Sequence, residues 1–209
     1  MTTPDAAAHA ETLDGRERLL AAARAEIAET GLAHLSLRSI ARRAEVSHAA
    51  PTYHFGDRAG LLTAVAAEGF TALAVALDHA SAEAGGPSLR VLGRTYVAFG
   101  LAEPALFDLM FRSGELHADD PALRAAQADS LALLSRTAPD AGAKVPGDIV
   151  SPLTLVSWAF AHGLVALTRD GALQALAQNA DTGQLVDHLI DVLDQALSGT
   201  PTPPSTPAR

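Results

Sequence analysis

Apolar residues recur at helical spacing from one end of the chain to the other. Leu20, Ala23 and Ile27 share a face of a helix predicted over 14–30, which Gly31 ends. Leu37, Ile40, Ala41 and Ala44 fall at i, i+3, i+4 and i+7 of a second helix over 37–44. Ser36 stands at its N-cap, and Arg38, Ser39, Arg42 and Arg43 form its outer face. Glu45, Val46 and Ser47 make a short turn, with Ser47 placed to cap a third helix over 48–55. Asp57 opens a long fourth helix over 57–83, with Leu62, Val65, Ala66, Gly69 and Leu73 as its stripe, closed by Gly85, Gly86 and Pro87. Further helices are predicted over 88–101, 104–112, 121–137, 149–170 and 182–198. The last carries Val186, Leu189, Ile190, Leu193 and Leu197 on a single face. No run alternates with period two, so no strand is predicted and the fold class is all-α.

Composition sharpens this outline. The chain has 209 residues, enough for two small helical domains. Cysteine is absent, which removes disulfides, thiolate metal sites and cysteine nucleophiles and suits a reduced, cytoplasmic setting. The start, MTTPDAAAHAETL, has neither the basic patch nor the apolar core of a secretory signal. Residues 1–13 are expected to be a disordered arm, and the Pro/Ser/Thr-rich stretch 199–209 a disordered tail. From Ile149 to Thr168 no formal charge occurs, and that length is close to what a bilayer needs. Pro152, Ser151, Thr154, Ser157, His162 and Gly163 dilute it, and no flanking basic cluster orients it, so burial between subunits is the expected use.

The net charge of −9 at first argues against nucleic acid. Its distribution argues the other way. Between residues 31 and 58, Arg38, Arg42, Arg43 and Arg58 face only Glu45 and Asp57. A local basic face in an acidic protein still attracts phosphate, while the acidic remainder limits indiscriminate binding.

Two short helices joined by a tight turn, arginines outside and small aliphatics inside, are the pattern of a helix-turn-helix. The wording of Gly31 to Leu62, GLAHLSLRSIARRAEVSHAAPTYHFGDRAGLL, resembles the TetR family of regulators in register. The shared positions are Gly31, Ser36, Ile40, Ala41, Val46, Ser47, His54, Phe55, Arg58, Leu61 and Leu62. The resemblance implies that Ser36 and Arg58 hold backbone phosphates, aided by a helix N-terminus. Arg38 is the arginine expected to reach a base edge. Arg42 is a candidate phosphate contact, and the third helix would present Ser47, His48, Ala49, Thr52 and Tyr53 to the major groove. For His54, packing and a phosphate bond both remain open.

The chain departs from the family pattern at three places. Its aromatic is Tyr53, one position after the usual site at Thr52, a rotation of about 100° on a helix that leaves phosphate and core both open for its ring. Glu45 replaces a glycine common in the turn, which asks for an unfavourable backbone. Pro51 lies in the first turn of the recognition helix, where its ring limits the geometry.

The remaining region, 59–198, is expected to form the ligand and dimer domain that the resemblance implies, the helix over 57–83 connecting it to a DNA-binding domain over 14–58. Tyr96, Phe99, Phe107, Met110 and Phe111 cluster around a break at Pro104, as candidate effector contacts or as ordinary core. Trp158 and His162 lie four apart, and WAFAHGLVAL resembles the Trp/His-Gly element of one TetR C-terminal subclass. They join the candidate pocket, with the dimer seam as the other place for Trp158 and ordinary core as the other for His162. An apolar or aromatic effector is the expected ligand, and the helices near 149–170 and 182–198 are expected to pair two subunits as a four-helix bundle.

The function expected is therefore that of a homodimeric repressor released by a small molecule from palindromic operator DNA. An activator or a regulator governed by a protein partner is the alternative. No cofactor, metal or membrane partner is implied, and an enzyme is not expected. A di-iron bundle needs two Glu-x-x-His pairs, and only Glu45 to His48 has that spacing, across a turn.

Overall fold

The computed structural model describes residues 4–136, 151–177 and 181–198, with side chains from residue 14 onward. Among them there are helices and no strands: α1 Pro4–Thr30, α2 Leu37–Arg43, α3 Ala50–Phe55, α4 Arg58–Glu83, α5 Leu89–Ala102, α6 Pro104–Met110, α7 Pro121–Ser135, α8 Pro152–Arg169, α9 Ala172–Ala177 and α10 Thr182–Ser198. Single 3-10 turns stand at Leu32–His34 and Ser113–Glu115. The tail expected over 199–209 lies outside the described residues, as do residues 149 and 150 at the expected start of α8.

Helices α1 and α3 start away from their expected positions, and one helix is additional. Helix α1 begins at Pro4 rather than Asp14. Helix α3 begins at Ala50, and Ser47 does not cap it; Ala49 stands at the N-cap without a side-chain bond. Pro51 supplies the reason. In a helix begun at His48 it would be the fourth residue, lacking the amide owed to the Ser47 carbonyl and pressing its ring against it. The chain instead takes a turn first, Ala50 N donating to Ser47 O at 3.0 Å. Helix α9 was not predicted; it follows Gly171, whose φ of 72° ends α8.

Packing divides the described residues into two compact units, with one division inside α4. One unit comprises Met1–Ala74 and Ala102–Ser130, the other Val75–Leu101 and Leu131–Arg209. In the first, Leu19, Leu20, Ala23 and Ile27 of α1 are buried along with Ile40 and Ala41 of α2, and Leu61, Leu62, Val65, Ala66 and Leu73 of α4. Gly69 lets α6 approach α4 closely, since a Cβ there would sit 2.8 Å from Met110 Sδ. In the second unit α5 meets α10: Gly93 lies against Ile190, and Arg94 pairs with Asp187 at 2.9 Å. Helix α4, and not the uncharged stretch from Ile149, is the one described helix long and apolar enough to cross a membrane. Half of its apolar window is buried inside the protein, as in a core helix.

Candidate functional site

The second helix is built around its cap. Ser36 is extended (φ −129°, ψ 146°), and its hydroxyl accepts from Ser39 N at 3.1 Å while Ser36 N donates to Ser39 Oγ at 3.3 Å. This is a capping box with serine in place of the usual glutamate. Ser39, expected on the outer face, instead turns toward α1 and donates to the buried carboxylate of Glu26. Arg43 also leaves the outer face: it forks onto Glu29 of α1, Nη1 to Oε2 at 2.7 Å. That pairing holds the Glu29 carboxyl below its ordinary range and raises Arg43.

Two of the four local arginines remain for an outside partner. Arg38 and Arg42 are exposed, and neither has an ion pair among the described residues. Arg58 does not share their freedom. Its Nη2 donates to the Leu32 carbonyl at 2.8 Å, Nε to that of Leu35 at 3.4 Å, and Nη1 to Glu115 Oε2 at 2.8 Å. The N-terminus of α4 beside it is already capped, Gly60 N donating to Asp57 Oδ1 at 2.7 Å.

Along the turn and α3, Ser47, His48, Ala49, Thr52 and Tyr53 are all exposed, Tyr53 at 77%, while Pro51 is buried. The shifted aromatic therefore faces solvent beside Thr52. His54 and Phe55 turn the other way and are half-buried. They border a cleft of about 600 Å³ with Arg16, Arg24, Glu68 and His117, and Arg16 stacks over the Phe55 ring at 5.4 Å. The His54 ring lies at the edge of this cleft, 5.1 Å from the ring of Tyr53. Partial burial pushes the Glu68 carboxyl in this cleft upward. The turn before α3 carries the strain its sequence implied: Glu45 has φ 54°, and Arg18 Nη2 donates to its carbonyl at 3.3 Å.

Gly60, which the pattern did not single out, fixes the junction of α3 and α4. A Cβ there would lie 2.0 Å from the Phe55 carbonyl oxygen. No periodicity marks such a residue, because the contact is to backbone.

The aromatic cluster read around Pro104 is divided between the units. Phe107, Met110 and Phe111 belong to the N-terminal one, where Phe111 meets Phe107 at 5.0 Å and Phe70 at 5.5 Å. Tyr96, Phe99, Trp158 and His162 belong to the other. Trp158 Nε1 donates to Tyr96 Oη at 2.9 Å, and Tyr96 Oη lies 3.1 Å from His162 Nδ1. Indole only donates, so the phenol oxygen accepts in the first of these contacts. Burial raises the Tyr96 pKa well above its ordinary value. Beside this chain lies a cavity of about 20 Å³, lined by Tyr96, Trp158, Leu92, Gly93, Thr154 and Ala161, among others. It is water-sized as it stands. Among the described residues no group of three His, Asp or Glu is placed to hold a metal ion.

Comparison with known proteins places this arrangement. The model for bacterial regulatory proteins of the tetR family matches residues 19–65. That for the tetracyclin repressor-like C-terminal domain matches residues 89–193, half of the chain. No curated protein matches in sequence. Among solved structures, a protein of unknown function from Rhodococcus sp. RHA1 is 36% identical, with a TM-score of 0.71 over 88% of this chain and 95% of its own. A TetR family transcription regulator from Marinobacter aquaeolei VT8 shares 19% identity at a TM-score of 0.60, over 90% and 98%. The regulator LfrR from Mycobacterium smegmatis, solved with proflavine, shares 20% at 0.54, over 91% and 99%. With the helix-turn-helix at 37–55 and an all-helical region behind it, the chain belongs to the TetR family of bacterial transcription regulators.

Proposed function

We propose that this protein is a dimeric transcriptional repressor that grips a near-palindromic operator through α2 and α3 and releases it when a small apolar or aromatic effector binds the C-terminal unit. The observation that carries the reading is the exposure, on two adjacent short helices and the turn between them, of Arg38 and Arg42 with Ser47, His48, Ala49, Thr52 and Tyr53. Exposed arginines supply phosphate and base contacts, and a short helix with small residues at its start fits a major groove. Ser36 is exposed as well, but its hydroxyl is engaged in the cap, so its contact to phosphate is a shared one.

For the effector, the Trp158–Tyr96–His162 chain offers polar groups in an apolar wall. A cavity of about 20 Å³ must open to admit an organic molecule. Binding therefore repacks these side chains, which is how a ligand comes to distinguish two states of the protein. Proflavine in the M. smegmatis regulator agrees with a planar aromatic ligand. For the dimer, Leu155, Val156 and Leu167 of α8 and Val192 and Leu197 of α10 expose apolar surface, Val156 at 55%.

Replacing Arg38 or Arg42 by Ala is expected to cost about 1–3 kcal/mol of operator affinity. The check is anisotropy titration of an operator selected from random duplexes. Unchanged affinity in both variants contradicts the assignment of this face.

A further inference from the structure

The guanidinium of Arg58 is held by three partners of two kinds. The carbonyls of Leu32 and Leu35 belong to the segment leading into the Ser36 cap, and they orient the fork against the body of the helix-turn-helix. The third partner is a charged carboxylate, Glu115 Oε2, at 2.8 Å from Nη1. Both side chains of this pair are about one-third exposed, 38% for Arg58 and 33% for Glu115. A phosphate oxygen makes the same charge-assisted bond to a guanidinium that a carboxylate oxygen makes. Phosphate could therefore replace Glu115 at Nη1 while both carbonyl bonds persist.

Glu115 has somewhere to go. Arg112 Nη1 lies 3.8 Å from its other oxygen, so leaving Arg58 does not strand the carboxylate. The residue rides on the 3-10 turn Ser113–Glu115, just after α6, and α6 is where the chain re-enters the N-terminal unit after Leu101. Nearby groups hold that turn in register: His117 N donates to Thr63 Oγ1 at 2.8 Å, and His117 Nε2 lies 3.5 Å from Asp57.

We propose that Glu115 is an internal competitor of DNA phosphate. It occupies Arg58 in the free protein, yields Nη1 to a backbone phosphate on binding, and thereby lowers affinity for every duplex. Glu115 is in these terms a positioning residue, and the placement of its turn sets how readily Arg58 changes partner. The inference rests on the reading of α2 and α3 as a duplex-binding face.

The test is a double-mutant cycle in the full chain with a labelled pool of random-sequence duplexes at low ionic strength. Glu115→Gln is expected to tighten binding about fivefold or more, an effect of the size of one charged contact. In an Arg58→Ala background the same change is expected to do nothing. Glu115→Ala repeats the measurement, and melting curves show that each variant is folded. If the wild type binds and Glu115→Gln binds equally or more weakly, the inference falls while the function stands. Tightening that persists without Arg58 means a general charge effect and also overturns it. If neither protein binds any duplex, both readings fall; binding gained only in Glu115→Gln supports both.

Discussion

Tyr96 is a titratable side chain held almost wholly out of water. It is 1% exposed, receives a bond from Trp158 and faces His162 Nδ1. Burial disfavours the phenolate, so the folded protein keeps the proton at a pH where the unfolded chain has begun to lose it. The stabilisation is complete below the unfolded value of about 10 and is lost as pH rises from there through the raised folded one. The unfolding free energy, from chemical denaturation, is therefore expected to fall at alkaline pH with a slope approaching about 1.4 kcal/mol per pH unit from this group, and Tyr96→Phe is expected to flatten that fall. A variant with the same slope as the wild type would show that Tyr96 is not the group responsible. At this scale the sequence was partly legible. Arg38 and Arg42 were readable as outward because each occupies the polar side of α2, whereas the one-position shift of the aromatic left both phosphate and core open for Tyr53. Arg43 and Arg58 were not, since their partners Glu29 and Glu115 stand 14 and 57 residues away, and pairs at such separations leave no periodic trace.

At the scale of elements, helix existence is legible wherever an apolar stripe lasts several turns. The long stripe of α10 fixes it at Thr182–Ser198, as predicted. Helix α9, six residues long, spans too few turns for a stripe to register. The start of α3 was read two residues early because the capping potential of Ser47 was weighed without the amide that Pro51 lacks. The junction of α3 and α4 depends on Gly60, and the obstacle to any side chain there is the Phe55 carbonyl, not a movable side chain. Gly60→Ala is expected to cost about 2–3 kcal/mol in stability and to weaken duplex binding, because the recognition helix must shift to make room. Chemical denaturation checks the first effect and anisotropy the second. Wild-type values in both would mean that the junction is more pliable than its packing indicates.

At the scale of the molecule, the apolar residues of α8 and α10 ask for a partner of the same kind. A twofold interface apposes a patch to its own copy, so a charge placed there meets itself. Val156→Asp, or Leu167→Arg, is expected to convert the proposed dimer to monomer in sedimentation and to weaken operator binding by about tenfold or more, through loss of the second half-site. A dimer that survives both substitutions would place the interface elsewhere. The membrane question was legible only in part: the uncharged stretch from Ile149 drew attention, whereas α4 has the greater length and hydropathy. Its three charges at the ends of the 58–83 span, Arg58, Asp78 and Glu83, together with Glu68, disguise an apolar middle. Phe107, Met110 and Phe111 adjoin Tyr96 and Phe99 along the chain and yet belong to the other unit, a separation that sequence proximity conceals.

The most direct measurement is duplex binding by the purified protein at low ionic strength, followed as salt is raised. Saturable binding that weakens steeply with salt, and that drops when Arg38 and Arg42 are both replaced by Ala, is the expected result. Failure to hold any duplex, random or genomic, would contradict the assignment of α2 and α3 as a DNA-reading face.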